Sequence, residues 1–245
     1  MSIIYKENMM DFYGFYTGKI FDAYKYLGAH VEEKGVTFRT FAPSASRITL
    51  IGEFNDWQEW EMNKVSDGNF WECYVPQAKA GQMYKYKIYD RNSNPVDHCD
   101  PYGFGMELRP SSASIIRDMS KYKFKDSQWL QNRSDCRKKP LNIYEIHFGS
   151  FRKPSDKADD WYNYEEMIDI LIPYLVKNGY NYLEIMPLNE YPCDESWGYQ
   201  ATGFFSPTSR YGTADQLKAF IDACHKHNIG VLMDFVPVHF AVDAY

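Results

Sequence analysis

The sequence predicts two architectures in succession: a small antiparallel β-sandwich, then the beginning of a parallel α/β sheet. Three observations carry this. Between Gly35 and Tyr89, short runs of β-branched and aromatic residues recur, separated by turn-forming residues. After Pro140, apolar runs without clean alternation are interleaved with stretches of helical period. The chain has 245 residues, which allows one large domain or two smaller ones.

Residues 1–30 read as short helices over 5–15 and 19–27, broken at Thr17-Gly18, with Gly28 as a C-terminal cap. Strands follow over 36–41, 47–51, 69–75 and 82–89, so the sandwich occupies 31–110. Lys85 and Lys87 alternate with Tyr84, Tyr86 and Ile88, which puts both lysines on one face of their strand. Residues 111–140 are polar and Lys-rich and read as a linker.

From 141 onward the order is strand (142–148), helix, strand (182–187), long loop, helix, strand (229–235). Asn163 and Glu166 form a variant capping box for the first helix, Gly179 is its stop, and Pro173 should kink it or mark its effective start. Thr213 and Gln216 form a second capping box, for a helix running to about His227. A βαβαβ order implies a parallel sheet with right-handed crossovers.

Composition narrows the function classes. Lys plus Arg is 27 against 33 Asp plus Glu, a net −6 that lacks the basic footprint of a nucleic-acid binder or a polybasic membrane anchor. No apolar run is long enough to span a bilayer. The five cysteines (73, 99, 136, 193, 224) form no C-x-x-C pair, so neither a zinc site nor a disulfide framework is suggested. With charges at Lys6, Glu7, Asp11 and Lys19 and no signal-length apolar core, the expected location is cytoplasmic. Aromatics reach 18%, a value that core packing or carbohydrate contact would each produce.

The loop 188–213 is long for a compact fold, and such loops are usually functional. Read without context, Asp234 is either a strand-end turn former or a site carboxylate, and His239 either a packed loop residue or a ligand contact. Glu145 and His147 lie two apart on one strand and read as a buried, hydrogen-bonded pair rather than a metal site. Glu184 reads as structural, and His225 and His227 suit a helix C-terminus.

Four stretches occur in the order found in glycogen branching enzymes: Tyr144-Glu-Ile-His-Phe-Gly-Ser150, Ser196-Trp-Gly-Tyr-Gln-Ala-Thr-Gly203, Pro207-Thr-Ser-Arg-Tyr-Gly-Thr213 and Asp234-Phe-Val-Pro-Val-His-Phe240. From about Leu27 onward the chain resembles this family, the 1,4-α-glucan branching enzymes of the α-amylase superfamily, glycoside hydrolase family 13. The front part resembles their carbohydrate-binding module of family 48, through Leu27-Gly-Ala-His30, Gly52-Glu-Phe-Asn-Asp-Trp57, Gly81-Gln-Met-Tyr-Lys-Tyr86 and Asp100-Pro-Tyr102.

The resemblance implies an all-β immunoglobulin-like sandwich, then, over 141–245, the first three βα units of an incomplete (β/α)8 TIM barrel, which needs ~250 residues when whole. It implies cleavage of an α-1,4-glucan by a retaining mechanism and transfer of the chain to a glucan 6-hydroxyl, making an α-1,6 branch. The partner is an α-glucan such as glycogen or an amylose-type chain. No metal or redox cofactor is implied, because the electrophile is already in the substrate.

By the same resemblance Tyr199 stacks on the sugar at the cleavage point, Asp234 orders the site and His239 bonds a sugar hydroxyl, with Trp197 and Gln200 beside them. Trp57 and Lys85 match glycan contacts of the related glycogen-binding domain of the AMP-activated kinase β-subunit. That domain's second tryptophan falls at 92–96, where this chain has Asn-Ser-Asn-Pro-Val.

In the family the nucleophile follows the fourth barrel strand and the acid the fifth, which places both beyond Tyr245. The expectation is therefore an N-terminal part without a catalytic carboxylate of its own, inactive alone and partnered by the remaining barrel. The rival expectations are a catalytically dead glucan-binding protein and an interrupted, non-functional fragment.

Overall fold

The computed structural model describes residues 10–133 and 138–241. Tyr245, the position past which the nucleophile and acid are expected, lies outside the described residues. The chain divides into two compact units, one of residues 10–104 and 112–118, the other of 105–111, 119–133 and 138–241.

The first unit opens with α1 (Phe12–Tyr16), capped by the Asp11 carboxylate accepting from the Gly14 N–H at 2.9 Å. Of the helix expected over 5–15, residues 5–9 lie outside the described residues and Met10 and Asp11 are not helical, and the helix expected over 19–27 does not form. Only a 3-10 turn at Ala23–Lys25 precedes β1 (Gly28–Glu32). Packing decides this: Phe12, Phe15, Ile20, Ala23 and Tyr26 gather on Phe70 and buried Leu27. Gly28 starts the strand at φ +102 rather than capping a helix, and a Cβ there would meet the Tyr102 carbonyl oxygen at 2.8 Å.

The strands that follow are β2 (Gly35–Phe41), β3 (Arg47–Gly52), β4 (Trp60–Glu61), β5 (Asn63–Val65), β6 (Phe70–Val75), β7 (Met83–Tyr89), β8 (Pro95–His98) and β9 (Ser114–Ile115). One sheet has the order β1-β2-β6-β5. The other has β4-β3-β7-β8 with β9 also on β7, and every pairing in both is antiparallel. Their inward residues share one core: Val36, Phe38, Trp71 and Cys73 from the first, Ile48, Leu50, Tyr84 and Tyr86 from the second. β1 escaped the sequence reading because its hairpin to β2 turns through Glu33-Lys34 rather than a Gly- or Asn-bearing pair. The segment 111–140, read as linker, contributes β9 to this unit and α2 (Ser127–Asn132) to the other.

Asp100 is fully buried in the first unit, and the donors that reach its carboxylate are neutral. The Tyr84 and Tyr86 hydroxyls donate at 2.7 and 3.1 Å, and the Tyr102 N–H at 2.8 Å. Burial outweighs these bonds and lifts its carboxyl from 3.8 to about 6. The folded state thus holds a proton that the unfolded state has already lost. The stability this contributes is complete below the unfolded value and disappears as pH rises through about 6. At ~1.4 kcal/mol per unit, Asp100 is expected to cost the unit about 3 kcal/mol at pH 7 relative to acid. Urea melts of the parent chain and Asp100→Asn, compared at pH 4 and pH 7, should show the difference between the two narrowing in acid.

The second unit is built on β10 (Ile143–Ile146), α3 (Phe148–Phe151), α4 (Glu166–Lys177), β11 (Tyr182–Ile185), β12 (Asn189–Glu190), β13 (Gly203–Pro207), α5 (Ala214–Lys226) and β14 (Gly230–Met233). Strands β10, β11 and β14 form a parallel sheet in that order. Both capping boxes form. The Asn163 N–H donates to Glu166 Oε2 at 2.8 Å and the Glu166 N–H to Asn163 Oδ1 at 2.9 Å. Thr213 and Gln216 exchange the corresponding bonds ahead of α5. Pro173 lies inside α4 and does not mark its start.

Met167, Leu171 and Leu175 of α4 and Leu217, Phe220 and Cys224 of α5 bury against Ile146, Leu183 and Ile185. The loop 188–213 is partly regular, because β12 and β13 pair antiparallel within it.

Candidate functional site

The register of the parallel sheet aligns Ile146, Ile185 and Met233. His147, Met186 and Asp234 are therefore the first residues beyond the same C-terminal edge. Two further bonds carry the ladder past it, from the Met186 N–H to the Ile146 carbonyl at 2.9 Å and from the Asp234 N–H to the Ile185 carbonyl at 3.0 Å. Asp234 is thus placed by backbone pairing rather than by a free loop.

The loop 188–213 is anchored from below by charge. Arg210 and Glu190 are buried and pair at 2.9 Å. Arg210 Nη1 also donates to the Tyr191 carbonyl at 2.8 Å, and its guanidinium lies 3.7 Å from the Tyr191 ring centre. Glu190 further accepts from the Ser209 N–H at 2.6 Å and the Thr208 hydroxyl at 3.2 Å. Asp194 accepts from Arg210 Nε at 3.0 Å and Arg109 Nε at 2.8 Å, and the two guanidiniums hold its carboxyl down at about 2. Burial pushes the Glu190 carboxyl the other way, above the usual range.

Past Asp194 the chain turns sharply. Trp197 and Gly198 both have positive φ, +54 and +92, and a Cβ on Gly198 would sit 2.5 Å from the Pro187 carbonyl oxygen. This turn delivers Tyr199, whose hydroxyl donates to Asp234 Oδ2 at 2.6 Å. That bond is the main reason the Tyr199 phenol is pushed up to about 12, so it remains a neutral donor at physiological pH. Gly198→Ala adds a left-handed strain and a backbone collision. It is expected to destabilise the unit by about 1–3 kcal/mol, and the Tyr199 hydroxyl resonance should lose its hydrogen-bonded shift.

Trp197 is 55% exposed and stacks on His147, with ring centres 5.8 Å apart at 29°. His147 also bonds Ser150 Oγ through Nδ1 at 2.9 Å, and burial lowers its pKa. Ala201 and Phe240 form a parallel bridge, and Gln200 and His239, both exposed, flank it. The edge therefore gathers Trp197, Tyr199 and Asp234, with Gln200 and His239 on the adjoining bridge.

Trp57 and Lys85 lie in the first unit. Trp57 is 41% exposed in a tight turn at φ +58, and Lys85 Nζ donates to Ser112 Oγ at 2.9 Å. In the turn at 92–96, the Asp90 carboxylate accepts from the Asn92 and Asn94 N–H groups at 2.8 and 2.9 Å.

Glu145 is exposed and is not the buried partner of His147 that the spacing suggested, because it shares with Glu184 and exposed Leu232 the sheet face opposite the core residues Ile146, Leu183 and Ile185. Sequence reasoning also missed His147 as a site residue, and the Glu190, Asp194, Arg109 and Arg210 network. Charged residues in the loop 188–213 were the signal for three of its members, and Arg109 lies outside that loop. Among the described residues no group of three or more His, Cys, Asp or Glu could hold a metal ion, and no helix is long and apolar enough to cross a membrane. Chemically, the edge offers an exposed indole, a neutral phenol and a carboxylate, a set suited to a polyhydroxylated ring with an apolar C–H face.

Residues 26–103 match the family described as carbohydrate-binding module 48 (isoamylase N-terminal domain), and residues 145–245 match the alpha amylase catalytic domain. The chain is 42% identical over 99% of its length to the 1,4-alpha-glucan branching enzyme GlgB of Fusobacterium nucleatum, covering 40% of that protein. It is 45% identical over 94% of its length to GlgB of Dechloromonas aromatica, covering 38% of it. The chain thus spans about two fifths of the length of the curated relatives it matches. The crystal structure of a "Putative alpha Amylase from Salmonella typhimurium" superposes with a TM-score of 0.71 at 26% identity. That match covers 88% of this chain and 34% of the other.

Proposed function

We propose that this chain, a homologue of 1,4-alpha-glucan branching enzymes over nearly its whole length, is the N-terminal part of such an enzyme and supplies the sugar-positioning side of its reaction. On this reading residues 31–110 are an immunoglobulin-like module of family 48, 111–140 a linker, and 141–245 the first three βα units of a (β/α)8 barrel, in a cytoplasmic enzyme. The substrate is an α-glucan. Tyr199 lays its ring against the glucose unit at the cleavage point, Asp234 orders that ring through the phenol, and His239 donates to a sugar hydroxyl. Trp197 and Gln200 extend the contact, and Trp57 and Lys85 hold glucan on the module. The nucleophile and the acid belong to barrel strands that follow Tyr245 in the parent enzyme.

The observation that carries this reading is the 2.6 Å bond from Tyr199 to Asp234. It unites two motifs far apart in sequence at the end of a parallel sheet where barrel enzymes place their sites. A ring fixed in that way loses little freedom when a sugar stacks on it.

The test is titration of the chain with maltoheptaose, following tryptophan fluorescence. Tyr199→Ala and Asp234→Ala should each weaken binding by about tenfold or more. Undiminished affinity in both variants, with circular dichroism unchanged, would overturn the assignment.

A further inference from the structure

The second unit carries a groove of about 350 Å³ that the edge site does not use, lined by Tyr122, Asp126, Gln128 and Trp129 on one side and Asp222, His225 and Asn228 on the other. α5 passes through Asn228 and Ile229 directly into β14, so the groove lies where β14 begins, whereas Asp234 lies past its end. The two places are at opposite ends of the same strand.

Its walls are held by side-chain bonds. The Asp222 carboxylate accepts from the Tyr122 hydroxyl at 2.6 Å and from the Lys125 N–H at 2.9 Å. His225 Nδ1 pairs with Asp126 Oδ2 at 2.8 Å. The Trp129 indole lies flat on the His225 ring, centres 4.8 Å apart at 12°, which fixes the indole where it lines the groove. By contrast, the side chains of Gln128, Asn228, Lys125 and Lys226 are exposed at the rim and have no hydrogen bond to a described residue.

We infer that this groove is a second carbohydrate-binding site, taking one or two rings of a neutral α-glucan. The lining selects the class. The lining carries two lysines, Lys125 and Lys226, and two aspartates, Asp126 and Asp222, so their formal charges cancel and favour no anion. Exposed amide and ammonium donors that bond no described residue, beside a fixed indole, suit vicinal hydroxyls around an apolar ring face. The volume lies at the lower end of the ~300–1,000 Å³ typical of small-ligand sites, which excludes a long buried chain. The polyol class rests on the groove alone, and the choice of α-linked glucose rests on the function proposed above. Bound there, a glucan would be held by the same unit at a point remote from Tyr199.

The experiment is a titration of the ¹⁵N-labelled 245-residue chain with maltotriose, following the Trp129 indole N–H and the Gln128 and Asn228 side-chain amides. Saturable shifts at these groups are expected. Gln128→Ala, which removes no side-chain bond to a described residue, should weaken them several-fold, and Trp129→Ala about tenfold. Tyr199→Ala should leave them unchanged, so failure of the edge site and failure of the groove are read separately. Absence of shifts at these groups, or their reproduction by inorganic phosphate with displacement of maltotriose, would overturn the proposal. Saturation by cellotriose but not maltotriose would overturn the α-glucan assignment.

Discussion

Arg210→Met is expected to destabilise the α/β unit by about 3–5 kcal/mol, the usual cost of removing one partner from a buried ion pair. Both side chains are almost wholly buried, at 1% and 4% exposure, so the Glu190 carboxylate left behind cannot recover its hydration. Its pKa is already raised by burial with the arginine present. Without it, the carboxyl should be raised further by the lost charge partner, so the variant's loss of stability should shrink as pH falls. The same change removes one of the two guanidiniums on Asp194 and frees the Tyr191 carbonyl. Urea denaturation measures the loss, and the double variant Arg210→Met with Glu190→Leu should recover much of it, since an apolar pair replaces the buried charges. A loss in Arg210→Met below about 1 kcal/mol would mean that the pair is solvated and the loop is held by other contacts.

Incubated with amylose, the 245-residue chain is expected to form no α-1,6 linkages detectable by iodine staining or isoamylase profiling. Retaining glycosyl transfer needs two carboxyl groups about 5–5.5 Å apart on either side of the scissile bond, one unprotonated to attack and one holding a proton for the leaving oxygen. At the sheet edge Asp234 is committed to the Tyr199 hydroxyl. Glu145 and Glu184 are register partners on neighbouring strands, so they sit side by side rather than across a sugar ring. On the function proposed above, the chain supplies positioning groups without nucleophile and acid, which leave only a small residue of the rate enhancement, ~10⁶ or more, that enzymes achieve. Branch formation by the purified chain would show that carboxylates within these residues carry the reaction.

Much of the fold was legible because local rules and global packing agree. The four longest strands of the first unit were found by their alternation and turn residues. Both long helices of the second unit were found by capping boxes whose reciprocal bonds form. The errors cluster where long-range packing overrides local preference. Residues 19–27 have helical period, yet the aromatic cluster on Phe70 and the close approach of Tyr102 to Gly28 hold them as a turn leading into a strand. Strands of two to four residues, such as β4, β8 and β9, are too short to show a period and exist only because β3 and β7 offer an edge.

The site divides along the same line. Resemblance of the ordered motifs to glycogen branching enzymes singled out Trp197, Tyr199, Gln200, Asp234 and His239, because residue types at set spacings survive in a linear string. The string holds no information on how Asp194 meets Arg109, which comes from a segment 85 residues away, or on how His147 comes to lie under Trp197. Those pairings require the parallel register to bring the ends of β10, β11 and β14 level and the loop 188–213 to fold back over them. Sequence by itself determined which chemical groups this chain carries to one edge of its sheet. Only the tertiary structure decided their partners, since burial and hydrogen bonding depend on distances that neighbours in sequence do not set.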